Sequence, residues 1–299
     1  MRREIIVNGG TRVQIDQDTG KFGLIGYPLG HSLSPFMHNL AFAAMGMNAV
    51  YLAFPVKPER VSLIVEAAKI LGIKGFNVTI PYKESIIPYL DRVSPEAEAC
   101  GSVNTVLIKD NLAVGYNTDG IGFMDSLYQK GVEIPKAAVI LGAGGAARAI
   151  GFQLATRGTV TVILNRTPER AVKLAREIGG ITGGKIRGMS WEEGRDADFL
   201  QDAELLVNTT PLGMYPNIDE KPPFELHTLN PEATVADIIY NPITTRFLWE
   251  ADQMGFKTIN GLGMFVNQGA RSWEMFTGQK APRHLMEDEL RSRLEKNET

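Results

Sequence analysis

From Lys21 onward, short apolar runs alternate with stretches whose apolar residues recur every three or four positions. Residues 22–26 read as a strand, and Ser34-Pro35 supply an N-cap and a first-turn proline for a helix running toward Met45. Residues 50–56 predict a second strand. Residues 59–71 predict a helix with Ile64, Ala67, Ala68 and Leu71 at helical spacing. A third strand is expected over 75–80, stopped by Pro81, followed by a hairpin of 104–108 with 113–116 around Asp110-Asn111. After a helix near 120–130, strands are expected at 138–141, 159–164, 205–208, 235–238 and 257–259. Helices are expected at 145–157, 168–178 and 263–276. The glycine-rich stretch 179–188 and the proline-rich stretch 216–223 read as loops. Strands separated by helices predict an α/β fold whose mostly parallel sheets are covered on both faces. Residues 1–20 precede this pattern as an N-terminal extension, with a hairpin turn expected at Asn8-Gly9-Gly10.

Composition narrows the function classes. A chain of 299 residues is long enough for two cores, and its net charge of −3 lacks the basic surplus of a nucleic-acid or anionic-membrane binder. One cysteine, Cys100, cannot form an intrachain disulfide, which fits a reducing compartment and a buried filler role. No apolar run approaches a membrane span, and the two leading arginines have no apolar segment behind them, so the expectation is a cytoplasmic protein. The four histidines lack metal-ligand spacing, and no bound metal is expected. A homodimer is left open.

Gly142-Ala143-Gly144-Gly145-Ala146-Ala147 matches G-x-G-x-x-G/A, with a predicted strand before it and a helix starting on it. Such glycines let the backbone turn tightly against a pyrophosphate, which then meets the free N–H groups of the helix. Nucleotide binding is therefore expected, against the blander reading of a structural strand-to-helix turn. The end of the next strand selects the nucleotide. Where NAD-binding folds place a carboxylate for the ribose, this chain has Asn165-Arg166-Thr167 and then Arg170. Guanidiniums and a hydroxyl suit a 2′-phosphate, so NADP is expected. A solvated arginine pair is the alternative, but arginine at a helix head opposes the helix dipole.

Four further patches are polar where strands end: Gly30–Pro35, Gly75–Lys83, Gly101–Thr105 and Gly115–Gly120. Hydroxyls, amides and a helix head suit a polyhydroxylated carboxylic acid. Hydride transfer at a carbinol carbon needs one positioned acid/base, and Lys83 with Asp119 is the best pair. Burial would have to lower the lysine against the opposing pull of the aspartate, or the two share a proton. Each residue has a plainer reading. A lone lysine is usually solvated, Ser34 and Asp119 could merely cap helices, and Asn77 and Asn104 could be turn residues.

Taken together, Gly26-Tyr27-Pro28, His31-Ser32-Leu33-Ser34-Pro35 with His38-Asn39, Asn77-Val78-Thr79-Ile80-Pro81-Tyr82-Lys83, Asn117-Thr118-Asp119-Gly120, Gly142–Ala147, Asn165–Arg170 and Gly261-Leu262-Gly263-Met264 with Gln268 resemble the shikimate dehydrogenase family. The likeness runs from Phe22 to about Phe276. It implies NADPH-dependent reduction of 3-dehydroshikimate to shikimate in aromatic amino-acid synthesis. It also implies two domains with a cleft between: a three-layer α/β substrate domain, residues 21–119 completed by 260–299, and a Rossmann-type NADP domain, residues 120–259. By the same likeness Ser32 and Ser34 hold the carboxylate, and Thr79, Asn104, Asp119 and Gln268 hold hydroxyls. Lys83 is the proton acceptor or donor, Tyr240 faces substrate, and Ile238 and Gly261 line the nicotinamide. The family's pattern does not include the first twenty residues. Alternatives are a quinate/shikimate dehydrogenase of broader specificity and a non-catalytic NADP-binding regulatory protein.

Overall fold

The computed structural model describes residues 4–7, 11–30, 32–194 and 198–298, so the expected turn at Asn8–Gly10 and His31 lie outside the described residues. The chain forms two units. One runs to Thr118 and resumes over Gln268–Leu290, and the other spans Asp119–Asn267 with the tail from Arg291.

The first unit opens with an antiparallel pair, β1 (Glu4–Val7) and β2 (Thr11–Gln14). Its sheet comprises β3 (Gly20–Gly26), β4 (Ala49–Pro55), β5 (Ile73–Val78), β6 (Arg92–Val93), β7 (Thr105–Lys109) and β8 (Leu112–Tyr116), in the order β4-β3-β5-β7-β8-β6. β3 lies parallel to β4 and β5, while β7 runs antiparallel to both β5 and β8. Asp110 and Asn111 have φ of 51° and 61°, the paired left-handed residues of a two-residue hairpin loop. The helices here are α1 (Ser34–Ala44), α2 (Ile64–Ile70) and α3 (Pro95–Cys100).

Alternation along these strands separates two packed faces. Ile25, Phe76, Val78 and Val106 pack with Ile64, Val65 and Ala68 of α2 and Ala97 of α3. The opposite face carries Phe22, stacked on Phe42 of α1 (5.2 Å) and on Phe276 (5.1 Å), and Phe42 also meets Trp273.

The second unit contains β9 (Ala137–Leu141), β10 (Val160–Asn165), β11 (Ile186–Ser190), β12 (Leu205–Asn208), β13 (Thr234–Asp237) and β14 (Lys257–Ile259), every pairing parallel. The order β11-β10-β9-β12-β13-β14 is the 3-2-1-4-5-6 arrangement of a Rossmann fold, with its reversal between β9 and β12. The helices are α4 (Asp119–Gln129), α5 (Gly145–Thr156), α6 (Pro168–Thr182), α7 (Trp191–Gly194), α8 (Phe199–Asp202) and α9 (Arg246–Gln253). Ala138, Ile140, Ile163 and Val207 face α4, α5 and α6. Val139, Leu141, Val162 and Leu206 face α8 and α9. Helix α10 (Leu262–Thr277) carries the chain from the second unit into the first, and α11 (Arg283–Glu298) follows.

Three expectations need correction. The stretch 179–188 is no loop: α6 continues through Gly179-Gly180 to Thr182, and Ile186–Ser190 is an edge strand. Gly188 hides that strand, because it breaks the apolar pattern where the α6 backbone comes closest. A Cβ there would lie 2.2 Å from the carbonyl carbon of Ala171. Residues 59–71 form a 3₁₀ turn (Pro58–Leu63) before α2 rather than one helix. Ser34 is not the cap of α1: Leu33 occupies that position, and no side chain caps the helix.

Candidate active site

At the nucleotide end, β9 feeds the turn Gly142-Ala143-Gly144. Gly142 has φ of 106°, and a side chain there would also press on Thr209 Oγ1 at 2.7 Å, so glycine is required twice over. Thr209 is itself held by its hydroxyl and its N–H on the Leu141 carbonyl (2.7 and 2.8 Å). Gly144 precedes α5, which has no side-chain cap, and the space a Cβ would take at Gly144 is open within 4 Å. Free N–H groups of Gly145 and Ala146 at this helix head, beside an open cradle at the strand-order reversal, fit a pyrophosphate.

At the end of β10, the Asn165 side chain donates to the Thr167 carbonyl (2.9 Å) and shapes the entry to α6. Arg166, Thr167 and Arg170 are exposed, and among the described residues neither guanidinium is ion-paired. Two unneutralised guanidiniums at this strand end fit the extra phosphate of NADP.

Across the reversal, β12 and β13 end in Asn208 and Asp237, both buried. Asp237 Oδ1 accepts from Ile239 N–H (3.0 Å) and Asn208 Nδ2 (3.1 Å), and Oδ2 accepts from Thr245 Oγ1 (2.8 Å). Burial pushes this carboxyl up to about 6, against the weaker downward pull of the three donors. Ile238 is half-buried just beyond. The Gly261 N–H donates to the Ile239 carbonyl (2.9 Å), and Tyr240 stacks on Phe265 with ring centroids 4.2 Å apart. Asp119, buried, is the first residue of α4 in this unit.

The remaining candidates belong to the first unit. Ser32 and Ser34 face each other (Oγ to Oγ 3.3 Å) at the uncapped head of α1. Ser32 Oγ also accepts the Ser34 N–H (3.3 Å), and two hydroxyls at a helix head are suited to an anion. Thr79, half-buried, follows β5, its N–H on the Ile25 carbonyl (2.9 Å). Lys83 is half-buried, with its carbonyl receiving the Val103 N–H (2.8 Å). Asn104 Oδ1 accepts from the Thr118 N–H (2.8 Å), and Asn104 Nδ2 reaches Gln268 Oε1 at 3.5 Å.

Beneath Asn104 lies a buried hub that the pattern of the sequence did not announce. Asn77 accepts from Tyr51 Oη (2.8 Å) and donates toward Thr105 Oγ1 (3.0 Å), Ser272 Oγ (2.8 Å) and the Asn104 carbonyl (3.1 Å). Ser272 also donates to the Gln268 carbonyl one turn earlier (3.0 Å), so it ties α10 to the sheet beside both amides. Asn77 is thus a structural centre and not a turn residue. His38 stacks on Tyr51 (4.2 Å), and burial lowers it to about 3, which keeps it neutral. The Asn208–Asp237–Thr245 cluster was likewise missed. Its only trace in the sequence is a polar residue closing each of two apolar strands.

A glycine turn at the reversal of a Rossmann sheet, with unpaired arginines where a ribose carboxylate would stand, defines an NADP-dependent oxidoreductase whose other unit presents hydroxyls and amides. Comparisons give the same result. Residues 24–106 match the shikimate dehydrogenase substrate binding domain, 136–227 an NADP oxidoreductase (coenzyme F420-dependent) model, and 261–291 the shikimate 5'-dehydrogenase C-terminal domain. The chain is 46% identical over 287 residues to a shikimate dehydrogenase (NADP(+)) of Moorella thermoacetica, covering 94% of this chain and 96% of that one. With the corresponding protein of Methanopyrus kandleri it shares 45% over 285 residues, covering 94% and 98%. A crystal structure of a shikimate dehydrogenase in complex with NADP+ superposes with a TM-score of 0.88 at 42% identity, covering 94% and 98%. Quinate dehydrogenase from Corynebacterium glutamicum, solved with NAD, superposes at 0.83 with 30% identity, covering 92% and 99%. The chain belongs to the shikimate dehydrogenase family.

Proposed function

We propose that this protein catalyses the reversible NADPH-dependent reduction of 3-dehydroshikimate to shikimate, a step of aromatic amino-acid biosynthesis in the cytoplasm. The observation that carries this reading is the joint presence of two polar ends. One is a serine pair at the head of α1, with the Asn104 and Gln268 amides in contact in the same unit. The other is a nucleotide turn followed by Arg166 and Arg170.

NADPH, when bound, supplies the hydride. Gly142, Ala143, Gly144, Gly145 and Ala146 cradle its pyrophosphate, and Asn165, Arg166, Thr167 and Arg170 take its 2′-phosphate side, with Ile238 and Gly261 along the nicotinamide. Ser32 and Ser34 bind and orient the substrate carboxylate. Thr79, Asn104, Asp119, Tyr240 and Gln268 fix the hydroxylated ring. Lys83 delivers a proton to the carbonyl oxygen as the hydride reaches its carbon, and takes that proton back in the oxidative direction, with Asp119 as its partner. Ketone, hydride and proton together account for the alcohol.

The test is absorbance at 340 nm with shikimate and NADP, then with quinate and NAD. Turnover of the first pair well above the second is expected. Preference for quinate would assign the broader-specificity reading, which the likeness to a quinate dehydrogenase supports. Binding of NADPH without turnover of 3-dehydroshikimate would assign a regulatory role.

A further inference from the structure

Leu205, Leu206, Val207, Thr234, Val235 and Ala236 build buried strands, and each strand then closes on a polar side chain with almost no solvent contact: Asn208 at 0% and Asp237 at 1% exposure. Asp237 is met by neutral donors alone, the Ile239 N–H, the Asn208 amide and the Thr245 hydroxyl. No cation pairs with it among the described residues. Its partners are the last residue of β12, Asn208, and two residues of the β13–α9 connection, Ile239 and Thr245. Asn208 Oδ1 accepts from the N–H and hydroxyl of Thr210 (2.9 and 2.7 Å), next to the Thr209 that faces Gly142. Ile239 takes the Gly261 N–H that follows β14, and Thr245 caps α9 by accepting from Leu248 N–H.

A neutral amide would serve these bonds nearly as well. Asparagine could keep the two bonds at Oδ1 and turn its NH₂ toward Thr245, whereas a buried carboxylate without a cation is costly. The charge itself therefore calls for an explanation. In a fold of this strand order the two nucleoside halves of a dinucleotide take the two halves of the sheet. Arg166 and Arg170 at β10 claim the adenosine half, so the nicotinamide half falls to the ends of β12, β13 and β14, where Asp237 holds Asn208 and the Ile239 N–H and the Ile239 carbonyl in turn holds Gly261. The oxidised nicotinamide ring is cationic and the reduced ring is neutral.

Resting on the NADP reading above, we propose that Asp237 is kept for the cofactor: it is a positioning residue for the nicotinamide half whose unneutralised carboxylate favours NADP+ over NADPH. Dissociation constants for NADP+, NADPH and the ringless probe 2′-phospho-ADP-ribose, measured calorimetrically on the full chain at pH 8, test this in wild type, Asp237→Asn and Asp237→Ser. The neutral variants are expected to weaken NADP+ by roughly three- to tenfold, the scale of one partly screened unit charge, with NADPH and the ringless probe within about twofold of wild type. The serine variant decides the matter if the amide variant does not accumulate. An equal change for NADP+ and NADPH, or none, overturns the proposal while leaving the dehydrogenase reading intact. A wild-type protein that bound neither nucleotide would remove both.

Discussion

Replacing Asp237 by asparagine should make the protein more stable at neutral and alkaline pH. The carboxyl is held up to about 6 by burial, about two pH units above an ordinary aspartate. A group whose folded value is raised binds its proton more tightly in the native state. It therefore weakens the fold progressively as pH climbs from about 4 through about 6, and by a constant amount above. Two units correspond to roughly 3 kcal/mol at 1.36 kcal/mol per unit. Asparagine keeps the acceptor that serves Ile239 N–H and Asn208 Nδ2 but must donate toward Thr245 Oγ1, which already accepts from Leu248 N–H; crowding there costs about 1 kcal/mol. The net gain is about 2 kcal/mol at pH 8, or a melting temperature higher by roughly 4–8 °C for a unit of this size. Near pH 4.5, where wild type already holds the proton, the gain should vanish. Urea titrations of both proteins at the two pH values, followed by far-ultraviolet circular dichroism, give the comparison directly. A variant that is less stable than wild type by the same margin at both values would refute the reasoning, because the ionised form would then cost nothing.

Three other expectations concern the two polar ends. Lys83→Ala should abolish most of kcat while leaving KM for shikimate little changed, as for a group whose interaction is realised in the transition state; steady-state kinetics in both directions would show it. Arg166→Ala should weaken NADPH by roughly 1.5–3 kcal/mol and barely change NADH, read by fluorescence titration, the scale of a hydrogen bond to a charged group. Ser272→Ala strips a partner from Asn77 and Thr105 and should cost about 1–3 kcal/mol of stability and raise KM for shikimate. Its NADPH affinity should be unchanged, since Asn77, Thr105 and Ser272 all lie in the first unit.

Much of this architecture could be read before any coordinates, because local physics and tertiary structure agree there. The Gly142–Gly145 turn lies between an apolar strand and a helix, and Asp110-Asn111 satisfies a hairpin on its own. Where the two levels part, the reading failed. Ile186-Arg187-Gly188-Met189-Ser190 has no strand signal of its own and is a strand because β10 and α6 hold it there. Helix α3 had every local sign, with Ser94 as cap, Pro95 in the first turn and left-handed Gly101 at its end, yet its six residues show no apolar period. Several candidate contacts to substrate and nucleotide are legible as polar residues where strands end, whereas Ile238, Tyr240, Gly261 and Gln268 enter only through the family likeness. The supports of these contacts are not legible: Tyr51, Asn77 and Ser272, or Asn208, Asp237 and Thr245, are scattered along the chain and acquire meaning only through contacts across it.

The return of residues 268–290 to the first unit imposes an order of assembly on the nascent chain. Phe22 and Phe42 are made early, while Trp273 and Phe276, which cover them, come only after the 149 residues from Asp119 to Asn267. At translation speeds of about 5–20 residues per second that interval lasts roughly 7–30 s. The nucleotide sheet, contiguous from Ala137 to Ile259, can close its core on the ribosome during that time. The older sheet waits half-clothed, and chaperones that bind exposed aromatic surface should find this chain in that window.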